Sequence, residues 1–171
     1  MMSVALCQPE NQTSVLGEDG VKWHLSQRIS ARLANIGPAA EFFEKFCLSR
    51  SNADFAVPML GPDMNLVLSE LLTNIVKHAY SSGSQDKIEI RARFQDPFLE
   101  VLIVDQGSEL PERVLKKIEI DFDGDDLSGL PEGGFGWGIV HSIVDEIKYQ
   151  RTDGCNRLLL RKNVFFNLGG S

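Results

Sequence analysis

The pattern of hydrophobic and polar residues in the first two thirds of the chain predicts strands and helices. Residues 21–29 alternate between hydrophobic and polar, which predicts a strand with one buried face. Hydrophobic residues recur at helical spacing over 33–47 and again over 63–81, so two helices are expected next. Residues 87–95 alternate once more, and 98–104 are nearly all apolar, as in a central strand. An Asp-Pro turn between these two runs predicts a hairpin.

The last third of the chain differs in character. Residues 108–132 hold eight acids against three bases, and this long segment is expected to be a mobile lid with a short helical stretch. The glycine-rich run 133–138 then opens a helix over about 139–147. Residues 148–152 and 157–162 have the composition of strands, and the Asp-Gly pair between them predicts a second hairpin.

The order of these elements predicts the fold class. The order is strand, two helices, hairpin, loop, helix and hairpin, so the strands come in antiparallel pairs rather than in βαβ units. We therefore expect an α+β two-layer sandwich, with a mixed but mostly antiparallel sheet and the helices on one face. Residues 1–20 are polar and are expected to be a disordered tail, and residues 21–171 are expected to form a single domain.

Composition narrows the class of protein. The formal charge is −7 for 171 residues, which argues against direct nucleic-acid binding because that needs a basic face. Three cysteines with no Cys-x-x-Cys pair predict neither a disulfide framework nor a zinc site, and a reducing cytoplasm is the simplest location. No apolar run approaches the ~20 residues that a membrane span needs, and no signal peptide is evident, so no membrane partner is expected.

The second predicted helix carries a polar stripe. Glu70, Asn74 and His78 lie at i, i+4 and i+8 and project from one face, with Lys77 on the same side. A carboxylate and an amide one turn apart can serve one reaction, because the carboxylate can take a proton while the amide oxygen binds Mg²⁺. The alternative is a solvated polar face with an i,i+4 hydrogen bond, and the stripe alone does not decide between them.

Two further segments could take part in binding. Asp105 and Gly107 follow the apolar strand, where an Asp could accept the exocyclic amine of a base or could simply form a turn. The run from Gly133 to Gly138 would expose backbone N–H groups at the positive end of a helix, which suits phosphate. It matches neither the Walker loop nor the Rossmann fingerprint, and a flexible loop with a close helix contact is the alternative.

In this order the three segments resemble the GHKL ATP-binding (Bergerat) fold of histidine-kinase-like ATPases. More narrowly, the chain is similar to the serine-kinase anti-sigma factors of that group, including the stress- and sporulation-type kinases. The resemblance covers about residues 23–162 and is strongest over 69–80, 132–140 and 156–162. Glu109 stands where the broad GHKL pattern has a second glycine after the Asp, and this is the one departure.

The resemblance implies a role for each matching residue. Glu70 would be the catalytic base toward a serine or threonine hydroxyl, and Asn74 would bind Mg²⁺. Asp105 would bind the adenine amine, with Gly107 beside it. The remaining cofactor-binding residues implied are those of the glycine-rich run and the end of the preceding helix: Lys77, His78, Gly134, Phe135, Gly136, Trp137 and Gly138. The glycines would wrap the phosphates, with residues 108–132 as the lid.

The resemblance also implies a function. The chain would be an ATP- and Mg²⁺-dependent serine/threonine protein kinase and a partner-switching regulator of transcription. Its substrate would be a STAS-type antagonist protein, with a sigma factor as a possible second partner and a homodimer as the expected assembly. The alternative is a catalytically weak, nucleotide-gated module that sequesters a sigma factor or another regulator.

Overall fold

A computed structural model of the protein describes residues 10–17, 20–50, 59–80, 86–116 and 134–164. These residues form six strands, four α-helices and one 3-10 turn. The strands are β1 (Glu10–Leu16), β2 (Lys22–Ser30), β3 (Lys87–Gln95), β4 (Phe98–Asp105), β5 (Glu146–Thr152) and β6 (Cys155–Asn163). The helices are α1 (Ile36–Arg50), α2 (Leu60–His78), α3 (Glu112–Leu115) and α4 (Gly134–Ile143), and the 3-10 turn is Leu33–Asn35.

The described strands form one sheet in the order β1-β2-β3-β4-β6-β5, and every pairing among them is antiparallel. Both predicted hairpins are present, and the second turns at Asp153 and Gly154, which both have positive φ. β6 lies between β4 and β5, so that Asp105 at the end of β4 is opposite Asn156 in β6. This register places two polar residues side by side at one end of the sheet.

The helices cover one face of this sheet. Alternate residues of the central strands are buried toward α1, α2 and α4, namely Ile88, Ile90, Ala92, Leu99, Val101, Ile103, Leu158 and Leu160. The other face carries paired charges, where the buried Glu100 is held by Arg93 and Arg161. The fold is therefore an α+β two-layer sandwich, and this prediction is confirmed.

The N-terminal segment corrects the sequence prediction. Residues 10–16, expected to be disordered, form the edge strand β1, in which Asn11 lies opposite Gln27 and Val15 opposite Trp23. The segment is too polar to join the core, and Leu16 is 72% exposed. An edge strand needs only backbone hydrogen bonds to its neighbour, so burial was the wrong criterion here. Residues 1–9 and 18–19 lie outside the described residues.

Helix α2 has the predicted length but lies three residues earlier than predicted, at Leu60–His78. At its start Leu60 is buried, and a Cβ at Gly61 would lie 3.1 Å from Cγ of Leu48 on α1. At its end the Ala79 carbonyl accepts a hydrogen bond from the backbone N–H of Ser108 (3.1 Å). Tertiary contacts at both ends therefore set the bounds of α2, rather than helix propensity.

Burial of Cys47 gives a test of the helical layer. Its side chain is fully buried on α1, and burial raises the pKa of the thiol to about 12. We expect iodoacetamide at pH 8 to leave Cys47 unmodified in the folded protein and to alkylate it after unfolding, because the thiolate is the reactive form. Peptide mass spectrometry before and after denaturant measures this, and rapid labelling of Cys47 under native conditions would contradict the packing of α1.

No helix among the described residues combines the length and the apolar character needed to cross a membrane.

Candidate functional site

Two polar residues of α2 lie next to α4. The apolar stripe of α2 is buried in the core, and Glu70 and Asn74 stand beside it, one turn apart and half-buried. Nδ2 of Asn74 is buried and has no hydrogen-bond partner among the described residues, so an amide-to-carboxylate bond between Asn74 and Glu70 is not seen. The Glu70 carboxylate makes no hydrogen bond or ion pair with any described residue. Among the described residues the Glu70 carboxylate and the –NH₂ group of Asn74 therefore have unused hydrogen-bonding capacity.

Gly136 of α4 packs directly against these two side chains. A Cβ at Gly136 would collide with Oε2 of Glu70, and it would lie 3.3 Å from Cδ of Glu70 and 3.5 Å from Nδ2 of Asn74. Only glycine allows so close an approach without moving a neighbour. The structure thus brings together the predicted base, the predicted metal ligand and the middle glycine of the glycine-rich run.

The glycine-rich run forms the start of α4 itself. Gly134, Gly136 and Gly138 all lie within the first five residues of this ten-residue helix, and Phe135 lies between the first two. The side chain of Trp137 is 4% exposed and belongs to the hydrophobic core, which leaves its backbone as the part that can meet a ligand. The N-terminal end of a helix favours anions because its N–H groups lack internal partners.

Lys77 and His78 stand apart from this cluster. Both side chains are exposed at the C-terminal end of α2. Neither forms a hydrogen bond or an ion pair with another described residue, so the structure does not connect them to Glu70 or Asn74. Their expected contacts with nucleotide stay predictions.

Asp105 forms the second part of the site. Its side chain is 3% exposed, and its Oδ1 accepts hydrogen bonds from the Gly107 backbone N–H (2.8 Å) and from Nδ2 of Asn156 (2.9 Å). The Tyr80 hydroxyl donates a longer one to the same oxygen (3.4 Å). Within the described residues Oδ2 accepts no hydrogen bond. An oxygen of a largely buried carboxylate that has no partner among the described residues is suited to receive an N–H donor from a ligand.

Tyr80 acts as a fixed donor beside this carboxylate. Burial, reinforced by the negative charge of Asp105, raises the pKa of Tyr80 to about 12, so its hydroxyl stays protonated at neutral pH. The same hydroxyl accepts a hydrogen bond from the Gln106 backbone N–H (3.0 Å). Tyr80 therefore ties the chain leaving α2 to the turn that follows β4.

A close backbone contact joins the two parts of the site. A Cβ at Gly107 would overlap Cβ of Ala79 and lie 2.9 Å from the Ala79 carbonyl oxygen. The turn after β4 therefore rests against the end of α2. Ala79 lies nine positions after Glu70, about 13.5 Å along a helix axis, so the two parts of the site lie at different turns of the helix.

Three residues of the site were not predicted. Asn156 bridges Asp105 to Tyr149 and Arg151, whose side chains donate to its Oδ1. Tyr149 also accepts a hydrogen bond from the Leu110 backbone N–H (3.2 Å), at the beginning of the predicted lid. All three residues lie on β5 and β6, and the family resemblance over 156–162 was the one signal that covered Asn156.

Part of the predicted lid is described. Residues 108–116 include the short helix α3, and Nε2 of His141 on α4 lies 2.9 Å from the Val114 carbonyl oxygen. The described part is therefore attached to α4 and to β5. Residues 117–132 lie outside the described residues, and the lid stays a prediction.

Asn74 is the candidate protein ligand for Mg²⁺. Among the described residues no three His, Cys, Asp or Glu side chains come together as a metal cluster. Oδ1 of Asn74 would supply one neutral oxygen, whereas Nδ2 is the atom of this amide that faces Gly136 and lacks a hydrogen-bond partner among the described residues. Mg²⁺ prefers oxygen ligands, keeps several waters and is commonly completed by substrate phosphates, so a single amide ligand fits it.

An antiparallel sheet backed on one face by helices, with a polar site between two of them, is the architecture of GHKL-type ATPase domains. A family model described as "Histidine kinase-like ATPase domain" matches residues 29–162. The chain belongs to this family, as its motifs indicated.

Curated relatives give a narrower similarity. The chain is 27% identical over 93 residues to the serine-protein kinase RsbW of Oceanobacillus iheyensis, covering 54% of this chain and 59% of the relative. It is 28% identical over 100 residues to RsbW of Bacillus cereus, covering 58% and 62%. The matches span about three fifths of the length of these relatives.

One solved structure has a comparable fold. It contains the RsbU and RsbW domains of a Mycobacterium tuberculosis protein, with a TM-score of 0.52 at 13% identity, covering 92% of this chain and 32% of the other. At this identity the similarity supports the fold alone.

Proposed function

We propose that this protein is an ATP- and Mg²⁺-dependent serine/threonine protein kinase that acts as an anti-sigma-type partner-switching regulator. The observation that carries the proposal is the packing of Gly136 against Glu70 and Asn74. It places a candidate base, a candidate metal ligand and a helix N-terminus together, and phosphoryl transfer depends mainly on such positioning and on charge neutralisation.

Each part of the site has a role in this proposal. Oδ2 of Asp105 accepts the adenine amine, and the backbone N–H groups of Gly134 and Gly136 in the first turn of α4 face the phosphates. The N–H of Gly138, four residues after Gly134, is used by the helix itself, so the earlier expectation that it binds phosphate is not carried forward. Asn74 holds Mg²⁺, which supplies charge neutralisation at the phosphates. The Glu70 carboxylate takes the proton of a substrate hydroxyl, whose oxygen bonds to the γ-phosphorus as the bond to the bridging oxygen of ADP breaks.

The protein partners are proposed from similarity. The curated relatives are serine-protein kinases by name, and this supports a serine hydroxyl as the acceptor. We place the acceptor serine on a STAS-type antagonist, with a sigma factor as the competing partner and a homodimer as the working assembly, because the resemblance implies these.

The direct experiment is transfer of radiolabelled γ-phosphate to a STAS-type protein from the same organism. Label should appear on a serine or threonine of that protein and should require both ATP and Mg²⁺. The control replaces the acceptor serine with alanine, which should remove the label. Absence of transfer to every STAS-type protein of the organism, despite ATP binding, would reject the kinase proposal.

A second candidate function has a specific observation in its favour. Within the described residues no hydrogen bond orients the Glu70 carboxylate, whereas catalytic bases are usually held by a second group. This favours a nucleotide-gated binding module in which phosphoryl transfer is slow or absent. In that case a partner would bind in an ATP-dependent manner without becoming labelled, which the same experiment detects.

A further inference from the structure

Asn156 is the most heavily hydrogen-bonded side chain in the described part of the site. It is 1% exposed on β6, where the strand register sets it opposite Asp105. Its Nδ2 donates to Oδ1 of Asp105 (2.9 Å) and lies within hydrogen-bond distance of the backbone carbonyls of Gly107 (3.3 Å) and Ser108 (3.0 Å).

The orientation of this amide is fixed by its neighbours. Oδ1 of Asn156 accepts from the Tyr149 hydroxyl (2.7 Å) and from the Arg151 guanidinium. The Arg151 guanidinium can only donate, whereas the partners of Nδ2 among the described residues are all acceptors. If the amide were turned over, its –NH₂ group would face the Arg151 donor and its oxygen would face the acceptor oxygens. The –NH₂ group of Asn156 is therefore held toward Asp105.

The fixed –NH₂ group of Asn156 determines which oxygen of Asp105 can accept a hydrogen bond from a ligand. Asn156 and the Gly107 backbone N–H occupy Oδ1 of Asp105, and Oδ2 is left as an acceptor for a ligand. An acceptor at that point can accept a hydrogen bond from the 6-amino group of adenine. It would repel the 6-oxo group of guanine or hypoxanthine, which is also an acceptor. A buried mismatch of this kind is costly because both groups lose their partners.

We propose that Asn156 is a positioning residue that sets the preference of this site for 6-aminopurine over 6-oxopurine nucleotides. This inference rests on the proposed nucleotide site at Asp105. It adds a residue from a different strand, acting through Asp105 and supported by Tyr149 and Arg151.

The test compares the affinities of ATP and inosine triphosphate, which carry 6-amino and 6-oxo groups, by calorimetry. The wild type should bind ATP at least about tenfold more tightly than it binds inosine triphosphate. Asn156→Asp replaces the donor that faces Oδ1 of Asp105 with a second carboxylate, so that Asp105 is repelled from its place and Oδ2 is no longer held toward the ligand. The ratio of the ATP affinity to the inosine triphosphate affinity should then fall about tenfold, mainly because ATP loses the oriented acceptor for its 6-amino group.

A matched control and a milder variant accompany this test. Nδ2 of Asn65 on α2 donates to Oε2 of Glu44 (2.6 Å), so Asn65→Asp makes the same chemical change opposite a carboxylate on α1 and should leave the ratio unchanged. Tyr149→Phe removes a donor to Asn156 with little change in shape, and the ratio should fall about threefold. If Asn156→Asp does not fold, the affinity ratio of Tyr149→Phe tests the role of Asn156.

The outcomes separate the inference from the function beneath it. A wild type that binds neither nucleotide would overturn the proposed function. A wild type that prefers ATP, with the preference unchanged in Asn156→Asp and Tyr149→Phe, would overturn the inference alone. An equal weakening of both nucleotides in these variants would assign Asn156 a purely structural role and would also overturn it.

Discussion

Replacing Glu70 with glutamine should remove phosphoryl transfer and leave nucleotide binding nearly intact. Glutamine has the shape of glutamate but takes up no proton, so the loss falls on the chemical step. We expect the rate of transfer to fall about 10²- to 10⁴-fold, with the affinity for Mg²⁺-ATP changed less than about threefold. Single-turnover transfer of labelled phosphate measures the rate, and calorimetry measures the affinity.

The matched control for this variant is Glu41→Gln. Glu41 is an exposed acid on α1, so the same substitution there changes the net charge equally without touching the site. Its transfer rate should equal that of the wild type. A Glu70→Gln protein that still transfers phosphate at the wild-type rate would remove Glu70 from the role of base.

Replacing Gly136 with alanine should impair catalysis far more than stability. The new methyl group meets the Glu70 carboxylate, which is the end of a flexible side chain and can turn away. Alanine also favours a helix by about 1 kcal/mol over glycine, so we expect the free energy of unfolding to change by less than about 1 kcal/mol. The displaced base and the crowded Asn74 should lower kcat/KM about 100-fold, the usual cost of a 1 Å misplacement.

Gly37→Ala is the control for this effect. Gly37 lies near the start of α1, and a Cβ there would meet no atom within 4 Å. The substitution should leave both the transfer rate and the ATP affinity unchanged. Wild-type catalysis in Gly136→Ala, together with normal folding, would mean that the contact between α4 and α2 plays no part in the reaction.

The sequence predicted most of the fold because its periodic segments are long and clear. The alternating residues of β3 and the helical stripe of α2 each bury one face, and both elements form as expected. The sequence did not predict β1 because an edge strand is held by backbone hydrogen bonds, which do not require a regular spacing of hydrophobic residues. The ends of α2 were displaced because contacts with α1 and with Ser108 set them.

The candidate site was predictable only where its residues stand close together in the chain. Glu70 and Asn74 share one helix face, so their spacing alone placed them together. That Gly136 rests on them depends on the packing of α4 against α2, which no local pattern encodes. Asn156 was missed for a related reason: β4 and β6 are separated by about fifty residues, and only the sheet order makes Asp105 and Asn156 neighbours.

The central claim, that Asn74 and the residues around it hold Mg²⁺-ATP, is tested most directly by calorimetric titration with ATP in the presence and absence of Mg²⁺. The wild type should bind ATP more than about tenfold more tightly with Mg²⁺, and Asn74→Ala should lose this dependence, because the amide oxygen is the proposed protein ligand. The account would be contradicted if the wild type bound ATP equally tightly with and without Mg²⁺, or if it did not bind ATP at all. It would also be contradicted if Asn74→Ala kept the Mg²⁺ dependence of the wild type.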